Sequence, residues 1–216
     1  PEWALHSVHL KGELSAADFR LAAPADGKLT AHVIGVIENQ APTRHLHIEV
    51  TAKSGEVAID RARDLLKIAL VERHAASGRV QVGLVHGFGL NVPCAIATTV
   101  AHDCHQMIVV GSREEDMALA ANLLAKAGGG QIVVRDGKVI GQVELPIAGL
   151  MSNEPAQVVA RKAATVLQGF QDCGCTLNNP NMQLSLLALV VIPELRISDL
   201  GLVDVTRFEF IPVLEA

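Results

Sequence analysis

Residues 131–145 read Gln131-Ile-Val-Val-Arg135, Asp136-Gly137, Lys138-Val-Ile-Gly-Gln-Val-Glu-Leu145. An Asp-Gly pair between two β-rich runs predicts a hairpin, because a type I′ turn needs two residues that tolerate positive φ. On its N-terminal side, Ser112-Arg113-Glu114-Glu115 has the spacing of a capping box, in which hydroxyl and carboxylate each take a free backbone N–H of the first turn. Met117, Ala120, Ala121 and Leu124 then recur at helical spacing, and Gly128-Gly129-Gly130 stops the helix. On its C-terminal side a second helix is expected from about Pro155 to Phe170, with Val159, Ala163, Val166, Leu167 and Phe170 on one face.

Outside this helix–hairpin–helix unit the chain is punctuated by short apolar runs: Leu29 to Ile37, His45 to Thr51, Leu65 to Val71, Val80 to Val85, Ala95 to Val100 and Met107 to Val110. Their length suits strands better than helices. Leu184 to Ile192 reads as a buried strand or a short core helix, about half of what a membrane helix needs. Many short strands and about two helices in separate runs predict an α+β fold, a mixed β-sheet covered by helices. Residues 1–29 lack periodicity and end in a turn-forming cluster, so they are expected to be a connecting arm, with the domain proper at 30–216.

The composition narrows the function. Of 216 residues, half are hydrophobic, 19% are charged and the formal net charge is −5, which excludes disorder and disfavours nucleic acid as a partner. With 3% aromatic residues and no Tyr, stacking platforms for bases or sugars are not expected. The opening stretch has neither a basic nor an apolar segment of a secretory signal. Cys94, Cys104, Cys173 and Cys175 read as reduced thiols in a cytoplasmic protein.

The chemically densest segment is His102-Asp103-Cys104-His105. Three readings stay open for it: a structural polar cluster at a strand end, a surface facing a substrate or neighbouring domain, or an independent metal site, which needs three or four ligands. His45 and His47 alternate along a strand beside Arg44, and an edge or surface position is expected rather than a ligand pair. Glu72, Arg73 and His74 close a strand and read as a solvated end. Gly87-Phe88-Gly89 lacks the third glycine and the helix of a dinucleotide fingerprint, so a turn is expected there.

Collinear segments carry a further signal. Asp64-Leu-Leu-Lys-Ile-Ala-Leu-Val-Glu-Arg-His74, Val85-His-Gly-Phe-Gly89, Ala95-Ile-Ala97, Val100-Ala-His-Asp103 with His105, Leu145-Pro-Ile-Ala-Gly-Leu-Met-Ser152 and Gly201-Leu-Val-Asp-Val-Thr-Arg-Phe-Glu-Phe210 follow one another in the chain. Over most of residues 30–212 the sequence resembles the C-terminal domain of the bacterial and archaeal adenine deaminases, members of the amidohydrolase superfamily. The resemblance implies the C-terminal portion of a longer enzyme that hydrolyses adenine to hypoxanthine and ammonia. A stand-alone binding or oligomerisation module of the same fold, without catalysis, is the alternative.

In that family the catalytic metal, Mn, Fe or Zn, is bound by an upstream (β/α)₈ barrel, whose His-x-His pair, acidic bridging ligand, further His and Asp are not identified in this chain. The implied partners are adenine, the barrel domain and further copies in a homo-oligomer; neither nucleic acid nor a membrane is expected. No residue of the chain is assigned to a metal. His102, Asp103 and His105 are expected to approach the barrel's active-site mouth. The family pattern His-Asp-Ser-His-Asn becomes His102-Asp103-Cys104-His105-Gln106, and Cys94 replaces the usual Gly before Ala-Ile-Ala. Ser to Cys exchanges a good hydroxyl donor for a weak one.

Overall fold

Every residue of Leu65-Leu-Lys-Ile-Ala-Leu-Val71 is buried, and this strand lies in the middle of a ten-stranded sheet. The computed structural model describes residues 2–215. Its elements run β1 (Leu21–Ala22), β2 (Gly27–Val36), β3 (Thr43–Lys53), β4 (Glu56–Val57), β5 (Leu65–Val71), β6 (Val80–His86), β7 (Cys94–Thr98), β8 (Met107–Gly111) and α1 (Glu114–Lys126). After these come β9 (Gly130–Arg135), β10 (Lys138–Glu144), α2 (Ala156–Asp172), α3 (Pro180–Leu186), β11 (Leu195–Ser198), β12 (Gly201–Asp204) and β13 (Glu209–Ile211). The large sheet has the order β1-β4-β3-β2-β6-β5-β8-β7-β9-β10, and β11-β12-β13 form a small antiparallel sheet. All neighbours in the large sheet are antiparallel except β2 and β6, which run parallel. The α+β architecture is therefore as expected; the third helix, α3, ends at Leu186, so the apolar run Leu184–Ile192 is only partly helical and continues as a turn.

Because side chains alternate across a strand, β5 needs a cover on each side. Leu66, Ile68 and Leu70 pack with Phe170 of α2, Leu184 of α3 and Ile197 of β11. Ala69 and Val71 pack with Ala97, Val109 and the Met117, Ala121 and Leu124 stripe of α1. Within the expected connecting arm of residues 1–29, Phe19 joins this second face and is fully buried, and the His9 N–H donates to Arg73 O at 2.8 Å, so this part of the segment packs against the sheet. At the other end of the chain, Val213 O accepts from the His32 N–H at 2.8 Å and the Glu215 N–H donates to Thr30 O at 2.9 Å. The tail thus lies along the part of β2 that β6, pairing at Val33–Gly35, leaves open.

The Asp136-Gly137 hairpin forms, both turn residues having positive φ. Its register shifts between Val139 and Gly141, and at Gly141 the helix α2 crosses so closely that a Cβ would stand 2.4 Å from Thr165 O. The capping box at Ser112 does not form: Arg113 is the N-cap of α1 and gives it no side-chain hydrogen bond. Ser112 Oγ accepts instead from the Cys94 N–H at 2.9 Å and donates to Val92 O. The loop entering β7 competes for the hydroxyl and wins it, leaving three acidic residues, Glu114, Glu115 and Asp116, to face the helix N-terminus.

The strand end at Glu72-Arg73 is the other correction, for both residues are buried rather than solvated. The Arg73 guanidinium donates to His105 O at 2.6 Å, Ser7 O at 3.0 Å and Ala148 O at 3.1 Å, joining three separate segments. Arg196 does the same elsewhere, donating to Ile192 O, Leu186 O and Ala41 O. Gly141→Ala is expected to push α2 off the hairpin and to cost about 1–3 kcal/mol, as overpacking does, read as a lower midpoint in urea unfolding of the chain.

Candidate functional site

His102 and His105 lie in the turn between β7 and β8, not on a strand. The turn brings their rings to 5.7 Å between centroids, and Asp103 Oδ1 lies 3.8 Å from His102 Nδ1. Asp103 is largely exposed while His102 is about one third exposed. The turn is held from below: Arg73 Nε donates to His105 O, the Arg73 N–H donates to Gln106 Oε1 at 2.8 Å, and His74 Nε2 meets Cys104 O at 2.9 Å. Burial, with His102 and Arg73 adding to it, lowers the His105 pKa, so this imidazole is neutral at pH 7. Its Nδ1 is buried and has no hydrogen-bond partner among the described residues. Two neighbouring imidazoles and an exposed carboxylate can exchange protons with a substrate or receive a neighbouring domain.

Beneath this turn, Glu72 closes the hairpin to β6. Burial opposes its ionisation, but the Ser77 and Ala75 N–H groups, the Ser77 hydroxyl and the His74 N–H outweigh burial and bring its pKa down to about 2.

Cys104 Sγ points at Ala101 O, 3.9 Å away, and burial pushes this thiol up. Cys94 Sγ lies 3.5 Å from Ser112 Oγ inside the core. The adjacent Cys94 sulfur, together with burial, holds the Cys173 thiol in its protonated form. All four cysteines are free. Gly87 and Gly89 make the expected turn, and their N–H groups donate to the two oxygens of Asp64 at 2.7 and 2.8 Å. A polar cavity of about 700 Å³, bordered by Asp60, Arg61, Asn91, Arg113 and Glu114, opens beside the fully buried Lys67, whose Nζ meets Glu114 Oε1 at 2.6 Å.

A second dense group stands on β2 and β3. The register pairs His32 with His47 directly across the strands, and His45 shares their face because it lies two residues from His47. His32 Nδ1 is 2.7 Å from His45 Nε2, and the three ring centroids lie 4.8 to 4.9 Å apart. One ring nitrogen from each lies within 4.8 Å of the others, and among the described residues this is the group of His, Cys, Asp and Glu able to share one ion. Burial first, then the neighbouring imidazoles, lowers the pKa of both His32 and His45. The expected edge position holds, since the short β4 pairs only with the Ala52–Lys53 end of β3. The fold adds His32 to His45 and His47, a neighbour that neither residue has in the sequence.

The ligand set of an amidohydrolase barrel does not fit these residues. That set is spread over the strands of a closed parallel barrel, whereas His45-x-His47 stands near the edge of an open, mostly antiparallel sheet and meets the His32 ring there. His102, Asp103 and His105 do not converge on one ion either.

Fold and sites together define an α+β domain that carries a polar turn and a histidine cluster but no barrel metal centre among the described residues. The family model described as the adenine deaminase C-terminal domain matches residues 40–209, and the chain belongs to that family. Its relatives include the adenine deaminase of Ruegeria sp. (strain TM1040), 56% identical over 216 residues, and that of Roseobacter denitrificans, 55% identical over 217 residues. Adenine deaminase 3 of Rhizobium meliloti is 52% identical over 214 residues. These alignments cover 99–100% of this chain but 36% of each relative, so the chain spans about a third of the length of the curated relatives it matches.

Replacing Glu72 with Gln removes a charged acceptor from four donors and is expected to cost about 2 kcal/mol, a fall of about 4–8 °C in Tm. The wild-type chain holds this stabilisation above the ordinary glutamate value of 4.5 and loses it as pH falls toward about 2. The gap in Tm between wild type and Glu72→Gln, measured by calorimetry, therefore narrows across that window.

Proposed function

We propose that this chain serves as the C-terminal domain of an adenine deaminase, which hydrolyses adenine to hypoxanthine and ammonia. The observation that carries this reading is identity of 52–56% along essentially the whole chain to relatives named adenine deaminase. The missing two thirds of such a protein would supply the (β/α)₈ barrel. There, one or two divalent ions, Mn, Fe or Zn, would lower the pKa of a bound water for attack on C6 of the purine.

This chain's contribution is the turn after β7. His102, Asp103 and His105 approach the barrel's active-site mouth, where neutral His105 and exposed Asp103 hold or pass a proton and narrow access for the purine. Arg73 acts as a positioning residue by fixing the turn through the His105 carbonyl. The free thiols support a reducing, cytoplasmic setting. No helix is long and apolar enough to cross a membrane.

The second reading, a binding or oligomerisation module without catalysis, draws support from Val191, Leu200, Phe208 and Phe210, large apolar side chains exposed on and around the small sheet. Such a group suits contact with the barrel or with another copy in a homo-oligomer.

The two readings separate in the polypeptide that the complete gene encodes. Conversion of adenine to hypoxanthine with release of ammonia is expected, and its absence sinks the deaminase reading. In that polypeptide the His102→Ala, Asp103→Ala double variant is expected to lower kcat/KM for adenine by roughly 10²-fold with unchanged Tm. An unchanged kcat/KM removes the turn from the active site.

A further inference from the structure

We propose that His32, His45 and His47 form a binding site for one divalent transition metal ion, with zinc the expected occupant. Nothing in this proposal rests on the deaminase reading, since the three ligands and their surroundings belong to this chain alone. Three imidazoles are a sufficient protein ligand set for zinc when water takes the fourth position, and the 55% exposure of the His47 side chain admits that water.

The geometry is close to what coordination requires. Two nitrogens bound to one tetrahedral zinc at about 2.0–2.1 Å stand roughly 3.3–3.4 Å apart. His32 Nδ1 and His45 Nε2, at 2.7 Å, need only separate by a fraction of an ångström for an ion to replace the hydrogen bond between them. The strands do the positioning: β2 and β3 pair continuously from Gly27↔Ala52 to Val36↔Thr43, so the register that sets His32 opposite His47 is fixed by ten residue pairs.

The surroundings are those of a metal site as well. Each ring turns its other nitrogen toward a carboxylate. His45 Nδ1 is 3.8 Å from Asp204 Oδ2, while His47 Nδ1 is 2.5 Å and His32 Nε2 is 3.9 Å from Glu215 Oε1. Of these only Glu215 on His47 is at hydrogen-bond distance, and an outer carboxylate that takes the second ring N–H fixes the tautomer and raises the basicity of the ligating nitrogen. Glu194 adds a third carboxylate, accepting from the His45 N–H at 2.7 Å. Three carboxylates set around the three imidazoles bring negative charge to the site, which a divalent cation offsets. Imidazole donors backed by oxygen anions suit Zn(II), Ni(II) or Cu(II) rather than Ca(II) or Mg(II). Asp204 belongs to β12 and Glu215 to the C-terminal tail, so a bound ion would tie the small sheet and the tail to the outer strands of the large sheet.

The test is metal binding by the chain itself, stripped with chelator and titrated with Zn(II) in a calorimeter, with Co(II) as a spectroscopic substitute. One ion per chain, with the visible spectrum of tetrahedral Co(II) and a Tm raised by Zn(II), is the expected result. His45→Ala and His47→Ala lose that stoichiometry while keeping the circular dichroism and the chelator-treated Tm of the wild type. Glu215→Gln keeps the stoichiometry and weakens Zn(II) by roughly 10–100-fold, as loss of an outer-sphere carboxylate does. His102→Ala with Cys104→Ala leaves binding unchanged. The proposal is overturned if the wild-type chain takes up no stoichiometric ion, or if His45→Ala and His47→Ala bind Zn(II) as tightly as wild type.

Discussion

A strand buried on both faces is the constraint on which this structure depends. All seven residues of β5 are buried, and the backbone of such a strand is satisfied only by partners on both edges, its side chains only by layers above and below. The antiparallel neighbours β6 and β8 meet the first need. The second divides the rest of the chain: α1 and the N-terminal segment on one face, α2, α3 and the small sheet on the other. Lys67, a charge within this strand, is tolerated because it reaches Glu114 at the start of α1.

The loops that connect these layers are organised by two buried guanidiniums. Neither Arg73 nor Arg196 pairs with a carboxylate among the described residues; both are satisfied by backbone carbonyls from several segments. Five donors in a rigid fork make arginine suited to that task, and burial alone takes the Arg196 pKa down to about 10, far above neutral pH. The turn carrying His102, Asp103 and His105 owes its place to Arg73, and the loop at Ala41, which leads into the histidine-bearing β3, is held by Arg196. The loops next to both dense polar groups are thus held by buried guanidiniums.

Hydrophobic periodicity and turn chemistry made much of the fold legible. The Asp136-Gly137 hairpin, the Met117–Leu124 stripe, the glycine stop after α1 and the short apolar runs are local signals, and each forms an element where expected. What failed were assignments in which two partners compete for one group. Ser112 had the spacing of a helix cap, but a loop brought near by the tertiary fold takes its hydroxyl. Glu72 and Arg73 looked like a solvated strand end because charge in sequence carries no information about which loops close over it. His32 gave no signal by itself. It could have been found only from the register of β2 on β3, together with the His-x-His alternation that sets His45 and His47 on one face.

The sequence by itself determined the long strands β2, β3 and β5 to β10, the helices α1 and α2 with their amphipathic faces, and the family to which the chain belongs, because these depend on spacing within ten or twenty residues and on collinear motifs. Tertiary structure alone decided which polar groups meet. His32, His45, Asp204 and Glu215 span more than 180 positions of the chain, and their convergence follows from strand register and from the tail lying along β2. Register shifted by one residue would turn His32 to the opposite face. That is why the histidine cluster is written in the pairing of strands and not in any one segment.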